Sequence, residues 1–240
     1  MKVNVLSKRL LATIRCDIQL QFRNGFYYAA AFVASIWVIL LRQIPGLDLQ
    51  LLLPSLIFNN LIINTFYFIS GLVLLEKGEG TLEAQVVTPL RTGEYLASKV
   101  ITLTLLSLVE NLLIAFLVYG LRFQIIPLAA GVSFTAASFT LLGFIAVARY
   151  DSLNEYLLPS MVYILPLVLP VLSLFGLLDS WLFYLHPLQG AMLMVRAAFQ
   201  HTNNWLWLYA LVYSSLWIAV FFWLSQQVFA RFIIRREGAR

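Results

Sequence analysis

The chain reads Glu76-Lys77-Gly78-Glu79-Gly80-Thr81-Leu82-Glu83 between two apolar stretches that are each long enough to span a bilayer. The polar segment runs on through Thr88-Pro89-Leu90-Arg91 to Lys99. Gly78 and Gly80 allow a sharp turn where the chain leaves the membrane, since glycine tolerates backbone angles closed to other residues. This pattern predicts a loop outside the bilayer, residues 76–99, between two spanning helices.

The composition places the remainder of the chain in lipid. Hydrophobic residues make up 61% of the sequence and charged residues 11%, whereas soluble domains carry about 25% charged residues. Backbone groups in hydrocarbon must be hydrogen-bonded within the protein, and apolar segments of this length satisfy that as helices. We therefore predict an all-α, polytopic membrane protein that forms a single domain over residues 1–240.

Six segments have the length of about 20 apolar residues that a spanning helix needs. They are residues 26–44, 49–75, 100–121, 123–148, 156–178 and 205–230. Before them, residues 3–22 repeat apolar side chains at spacings of three and four, with basic side chains on the other faces. This predicts an amphipathic helix in the membrane interface, with packing on a protein partner as the alternative.

The sixteen lysines and arginines predict the orientation of these spans. With six spans and both termini in the cytoplasm of a bacterium, thirteen of them lie inside and three lie outside, namely Arg42, Arg122 and Arg196. Counting residues 181–199 as a seventh span would move four C-terminal arginines outside. The stretch 179–204, interrupted by His186-Pro187, is therefore predicted to be an outer hairpin that is re-entrant or interfacial. The net charge of +5 reflects this topology and does not indicate a nucleic-acid partner.

The loop has the features of a docking element. Thr81 can cap a short helix with Glu83 in its first turn, and Leu82 and Val86 form an apolar edge before Thr88-Pro89 ends it. A short helix with an apolar edge and charged flanks suits a groove on a partner protein. The alternative is a solvated linker between two spans.

Polar residues inside the spans form a second candidate site. Glu110 lies within an apolar span beside Asn111, and carboxylates at that depth are costly and often functional. It is predicted to bind a cationic substrate, to pair with a cation on another helix, or to lie protonated in a helix contact. Asn60 and Asn64 share one helix face, and they either bond neighbouring helices or line a substrate path with Glu110.

The chain lacks the motifs of several enzyme classes. We find no P-loop, no Gly-x-Ser-x-Gly and no His-Glu-x-x-His. The one cysteine, Cys16, rules out an intramolecular disulfide and a thiolate metal cluster. We expect neither an enzyme activity nor a cofactor or metal in this chain.

The loop resembles the membrane permeases of type-2 ABC transporters. That family combines an acidic residue, a Gly-Thr-Leu-Glu step, a Pro-Leu step and a lysine entering the third span. The matching residues here are Glu76, Gly80, Thr81, Leu82, Glu83, Pro89, Leu90 and Lys99. The stretches 149–155 and 183–187 are further similar to small bacterial drug-export permeases, fluoroquinolone exporters included.

The resemblance implies a permease that works by alternating access as a homodimer or heterodimer in the inner membrane. Separately encoded ATPase subunits would bind ATP and Mg²⁺ and dock on the loop. It implies ATPase-coupling roles for Glu76, Gly80, Thr81, Leu82, Glu83, Val86, Pro89 and Arg91, and a second contact through Arg149, Asp151 and Glu155. The substrate would be lipophilic or amphipathic. Two alternatives remain: a secondary transporter that uses Glu110 for proton coupling, and a membrane anchor or assembly factor.

Overall fold

The structure, a computed structural model, describes residues 2–82, 90–177 and 180–234, and it describes side chains for 8–82, 90–177 and 180–232. All regular secondary structure in these ranges is helical. We number the helices α1 (Lys2–Arg23), α2 (Phe26–Gln43), α3 (Leu49–Gly78), α4 (Thr92–Tyr119), α5 (Ile125–Val147), α6 (Leu153–Leu174), α7 (Gln189–Ala197) and α8 (Asn204–Phe229).

Six of these helices, α2 to α6 and α8, are long and apolar enough to cross a bilayer. The predicted all-α fold with six spans is confirmed. Two helix ends differ from the predicted span limits. Helix α4 begins at Thr92, two residues before the Glu94 at which the sequence predicts the helix that continues as the third span. The Arg91 backbone N–H donates to the Glu94 carboxylate at 2.9 Å and caps it. Helix α6 ends at Leu174, where Gly176 adopts a positive φ of 66°.

Helix α3 changes its winding in the middle of the bundle. Residues Ile62–Tyr67 form a π-helical turn between two α-helical parts. Helix α5 approaches this turn so closely that a Cβ on Gly143 would lie 2.6 Å from the carbonyl oxygen of Phe66. Small residues allow such contacts between membrane helices. A π turn in this position moves the Asn64 side chain relative to a regular helix.

Helix α5 forms the centre of the bundle and contacts α3, α4, α7 and α8. Its buried side chains include Phe139, which meets Phe58 of α3 edge to face with ring centroids 5.2 Å apart. Helix α2 lies at the periphery, with its large side chains Tyr28, Phe32 and Ile39 exposed. In a bilayer these side chains lie in contact with lipid or with a second membrane subunit.

Helix α1 has three distinct faces. Asp17 and Gln21 are buried against the bundle, where α1 contacts α4. Leu11, Ile18 and Phe22, at spacings of seven and four, form an exposed apolar face. Helical geometry places Lys8, Arg9, Cys16 and Arg23 on the remaining, basic side. The arrangement fits a helix that contacts protein, lipid and water, and its interfacial position stays a prediction.

Residues 180–200 form a short 3₁₀ turn, Trp181–Leu185, followed by α7. Two of their side chains bind carbonyl oxygens that prolines leave without a backbone donor. His186 Nε2 donates to the Pro166 carbonyl at 3.0 Å, four residues before Pro170, and Gln200 Nε2 donates to the Gln50 carbonyl at 3.3 Å, four residues before Pro54. The segment therefore braces α6 and α3, while its predicted outer position is untested.

Candidate functional site

A buried ion cluster lies where the loop 76–99 meets the bundle. The Lys99 ammonium lies 2.6 Å from Asp17 Oδ1 and also forms an ion pair with Glu76. Their side chains come from α4, α1 and α3, and the residues are only 1%, 3% and 1% exposed respectively. The acidic residue and the lysine at the two ends of the family pattern are therefore in direct contact.

Neutral donors complete this cluster. The Tyr95 hydroxyl donates to Glu76 at 2.6 Å, and the Ser98 hydroxyl donates to Asp17. One ammonium faces two carboxylates, so these hydroxyls stabilise the remaining negative charge, as buried charges require. One turn further along α1, Gln21 donates to Thr102 at 2.8 Å. Polar contacts thus join the N-terminal helix to the third span.

Lys77, the neighbour of Glu76, binds a different part of the bundle. Its ammonium donates to the backbone carbonyls of Ala148 at 2.8 Å and Tyr150 at 2.6 Å, and lies 3.4 Å from the Asp151 carboxylate. Ala148 is the C-cap of α5, and a cation is favourable at a helix C-terminus. Lys77 therefore joins the two loops for which the sequence predicts partner contacts.

The described part of the first loop begins with a tight turn. Gly80 has φ 67°, the Thr81 hydroxyl donates to the Glu76 carbonyl at 3.1 Å, and Leu82 is buried. Arg91 is exposed at the start of α4. The predicted contact residues Glu83, Val86 and Pro89 lie outside the described residues. In the described part, Glu76 and Leu82 face inward, whereas Thr81 and Arg91 are exposed.

The second loop presents an exposed charged surface beside Lys77. Arg149, Asp151 and Glu155 are all exposed. The Arg149 guanidinium lies over the rings of Tyr150 and Tyr163, at 5.7 and 5.5 Å from their centroids. Helix α6 then starts with the Ser152 hydroxyl accepting from the Glu155 backbone N–H at 3.4 Å. Both predicted contact loops thus lie at the same end of the bundle.

The polar residues of the spans also come together. Asn60 Nδ2 donates to the Glu110 carboxylate at 3.1 Å, and Asn64 Nδ2 donates to its other oxygen. Asn60 also contacts Asn111 at 3.2 Å. All four residues are buried. None of the ion pairs in the described residues involves Glu110, so its observed partners are amides and not a cation.

The cluster leaves several oxygen atoms without hydrogen bonds. Asn60 Oδ1, Asn64 Oδ1 and Ser107 Oγ are buried and have no partner among the described residues. Acceptors of this kind surround a carboxylate near the middle of α4, where they can hold a ligand's hydrogen-bond donors or water. In the described ranges, no group of three histidine, cysteine or acidic residues is placed to hold a metal ion.

Two of these roles were missed by sequence reasoning. An acid among the polar residues of an amphipathic helix is expected to lie in water, whereas Asp17 is buried and forms an ion pair with Lys99. The charge pattern identifies Lys77 only as one of the cytoplasmic cations, whereas its ammonium binds the carbonyls of Ala148 and Tyr150. The prolines did offer a signal for His186 and Gln200, because each proline inside a helix leaves a carbonyl four residues earlier without a donor.

A model of the fluoroquinolones export permease protein family matches residues 8–237. Two relatives are fluoroquinolones export permease proteins of Mycobacterium tuberculosis, from strains CDC 1551 / Oshkosh and ATCC 25618 / H37Rv. Each is 32% identical over 233 residues, which cover 96% of this chain and 98% of the relative.

Proposed function

The chain belongs to the fluoroquinolones export permease family, and from this membership we propose that it is the membrane subunit of an ATP-driven exporter. Its partner is a separate ATPase subunit that binds ATP and Mg²⁺. It resides in a bacterial inner membrane with both termini in the cytoplasm and pairs with a second permease subunit. The contact between Glu76 and Lys99 carries the proposal, because it attaches the loop rigidly to the spans.

The docking surface consists of both loops at the basic end of the bundle. Thr81, Arg91, Arg149 and Asp151 are exposed there, and we assign the contact with the ATPase to them. Glu76 and Leu82 are buried and position the loop from within. Glu83, Val86 and Pro89 stay assigned to the ATPase contact from the sequence alone. Movement of the partner reaches α1 and α4 through Glu76, and α5 and α6 through Lys77.

The substrate is a drug-sized amphipathic molecule. The two relatives carry the name of fluoroquinolone export, and the apolar spans with the Glu110 cluster suit a ligand with an aromatic body and a basic group. Alternating access would expose Glu110, Asn60 and Asn64 to the substrate path. These assignments extend the family function to named residues of this chain.

Co-purification tests the docking surface. The tagged chain is co-expressed with the products of its neighbouring genes and purified in detergent. We expect the ATPase to remain bound, Lys77→Met to reduce its retention and Lys77→Arg to preserve it, because arginine can still donate to both carbonyls. Absence of any nucleotide-binding subunit from the wild-type complex would contradict the proposal.

A proton-coupled secondary transporter is the second candidate. The observation that favours it is the enclosed Glu110 carboxylate, whose partners are neutral amides. A carboxyl group in such surroundings can change its protonation during transport. In that case a pH gradient would drive transport by this chain without an ATPase. A pure anchor or assembly factor is disfavoured by the buried polar cluster between the spanning helices.

A further inference from the structure

We propose that a cavity at the junction of α1 and α2 binds an anionic phospholipid. The cavity has a volume of about 680 Å³, which lies within the range of small-molecule sites. Its walls are formed by Ile18, Gln19, Phe22 and Arg23 of α1 and by Tyr27 of α2. None of these residues belongs to the Glu110 cluster, and the site does not depend on the proposed export function.

The start of a spanning helix places the cavity at the depth of the lipid headgroups. Helix α1 ends at Arg23, and a turn in which Gly25 has φ 80° leads into the spanning helix α2 at Phe26. The last turn of α1 and the first turn of α2 therefore border the headgroup region. The Phe22 and Tyr27 rings meet there with their centroids 6.1 Å apart, and tyrosine is enriched at this boundary.

The side of α1 that borders the cavity is basic. Lys8, Arg15 and Gln19 are exposed, and helical spacing places them along the edge of the exposed apolar face of this helix. The acid within Lys2–Arg23, Asp17, is buried against Lys99. None of the ion pairs among the described residues involves Arg15. An apolar helix face with cations along its edge is the pattern that binds anionic lipid.

Arg23 is the cation in the wall of the cavity itself. Its guanidinium lies 3.4 Å from the Glu79 carboxylate, and the two side chains are 66% and 41% exposed. Such an exposed pair is weak, whereas a phosphate can accept two parallel hydrogen bonds from a guanidinium. A lipid phosphate in the cavity therefore competes with Glu79 for Arg23.

The ligand class follows from these two parts of the site. Ile18 and Phe22 offer an apolar surface to an acyl chain, while Arg23 and Gln19 offer donors to a phosphate. A soluble phosphate satisfies only the polar part. A zwitterionic lipid carries its own ammonium, which opposes the basic edge of α1. An anionic phospholipid such as phosphatidylglycerol satisfies both parts.

Native mass spectrometry of the delipidated full chain in detergent tests the charge requirement, with phosphatidylglycerol and phosphatidylcholine of identical acyl chains as probes. We expect phosphatidylglycerol to bind more tightly, and Arg23→Gln to weaken its binding about fivefold, as loss of one cation near a headgroup predicts. Glu79→Gln should strengthen this binding by a similar factor, because it removes the competing carboxylate. Arg122→Gln, at the far end of α4, is the control and should change nothing. Equal affinities for the two lipids, or weaker phosphatidylglycerol binding by Glu79→Gln, would overturn the proposal.

The apolar wall has its own matched pair of variants. Ile18→Trp fills the cavity, and we expect it to weaken phosphatidylglycerol binding about tenfold, the equivalent of one or two methylene groups returned to water. Leu11→Trp lies on the same exposed face but outside the cavity walls and should leave binding unchanged.

Three results would assign the cavity to another occupant and overturn the proposal. Equal affinities for Ile18→Trp and Leu11→Trp would show general contact of lipid with α1. Displacement of phosphatidylglycerol by an equal concentration of glycerol phosphate would show a site for a soluble anion. Loss of pairing between two copies of the chain in Ile18→Trp, with lipid binding unchanged, would show a contact between subunits.

Discussion

Lys99 carries the positive charge that compensates two buried carboxylates, Asp17 and Glu76. We predict that Lys99→Met destabilises the protein by about 3–5 kcal/mol, because removing one partner of a buried ion pair leaves an uncompensated charge. Thermal unfolding of the detergent-solubilised chain measures the loss. Replacing Asp17 by asparagine in the same variant should recover part of it, since one carboxylate then disappears.

The exposed pair of Arg23 and Glu79 is the control for this prediction. Their side chains are 66% and 41% exposed and lie 3.4 Å apart. Such pairs contribute less than about 1 kcal/mol, so Arg23→Ala should change stability little. Losses of equal size for Lys99→Met and Arg23→Ala would contradict the assigned role of the buried cluster.

Single residues were predictable where their chemistry conflicts with their surroundings. Glu110, Asn60 and Asn64 are polar groups within apolar spans, and the structure brings them together as hydrogen-bonded neighbours. Asp17 gave no such conflict, because an acid in an amphipathic helix has an ordinary solvated position. Its burial depends on Lys99, which lies 82 residues away in sequence. A pattern of neighbouring residues within one helix cannot reveal a partner so far away in the sequence.

Among the helices, the brace from residues 180–200 to α6 yields a testable coupling. His186 donates to the Pro166 carbonyl that Pro170 leaves without a backbone donor. We predict that His186→Leu, which removes the donor, shows a coupling of about 0.5–1.5 kcal/mol with Pro170→Ala, the range for one hydrogen bond. Alanine at 170 restores the N–H, so the loss of His186 should then matter less. The unfolding free energies of the wild type, the two single variants and the double variant, measured in detergent, give this double-mutant cycle.

Pro159→Ala is the control for this cycle, since the carbonyl it affects is that of Glu155. Its effect and that of His186→Leu should add. If the effects of Pro170→Ala and the His186 substitution on stability also simply add, the histidine does not replace the missing backbone donor.

The same histidine predicts a dependence of stability on pH. Burial lowers the pKa of His186 below its usual 6.5, against an opposing effect of the Pro166 hydrogen bond. Nδ1 accepts from the Leu188 N–H at 3.3 Å, so the folded state favours the neutral ring. As the pH falls below about 6.5, the unfolded chain binds a proton first, and folding stability decreases. Melting temperatures from pH 8 to pH 5 should fall more for wild type than for His186→Gln. Parallel curves would contradict this.

Helix types and number were predictable, and helix ends were less so. Six apolar stretches of spanning length follow directly from hydropathy. The start of α4 depends on the Glu94 carboxylate that binds the Arg91 N–H, a contact which a hydropathy pattern does not contain. The π turn Ile62–Tyr67 has no pattern of its own, because it arises where α5 packs against α3.

For the molecule as a whole, orientation is the first testable property. Cys16 is the single cysteine and is exposed on the basic side of α1. We predict that a membrane-impermeant maleimide labels it in inside-out vesicles and leaves it unlabelled in intact cells, because the basic side faces the cytoplasm. His201→Cys in a Cys16→Ser background is the control and should show the opposite labelling. The same labelling side for both positions would contradict the predicted topology.

Transport in inside-out vesicles that contain the chain and its ATPase subunit tests most directly whether this permease is driven by ATP. We predict that ATP addition drives uptake of a fluoroquinolone and that uptake continues after the proton gradient is collapsed. Uptake driven by a pH gradient in proteoliposomes that contain this chain alone, with no response to ATP, would contradict the account.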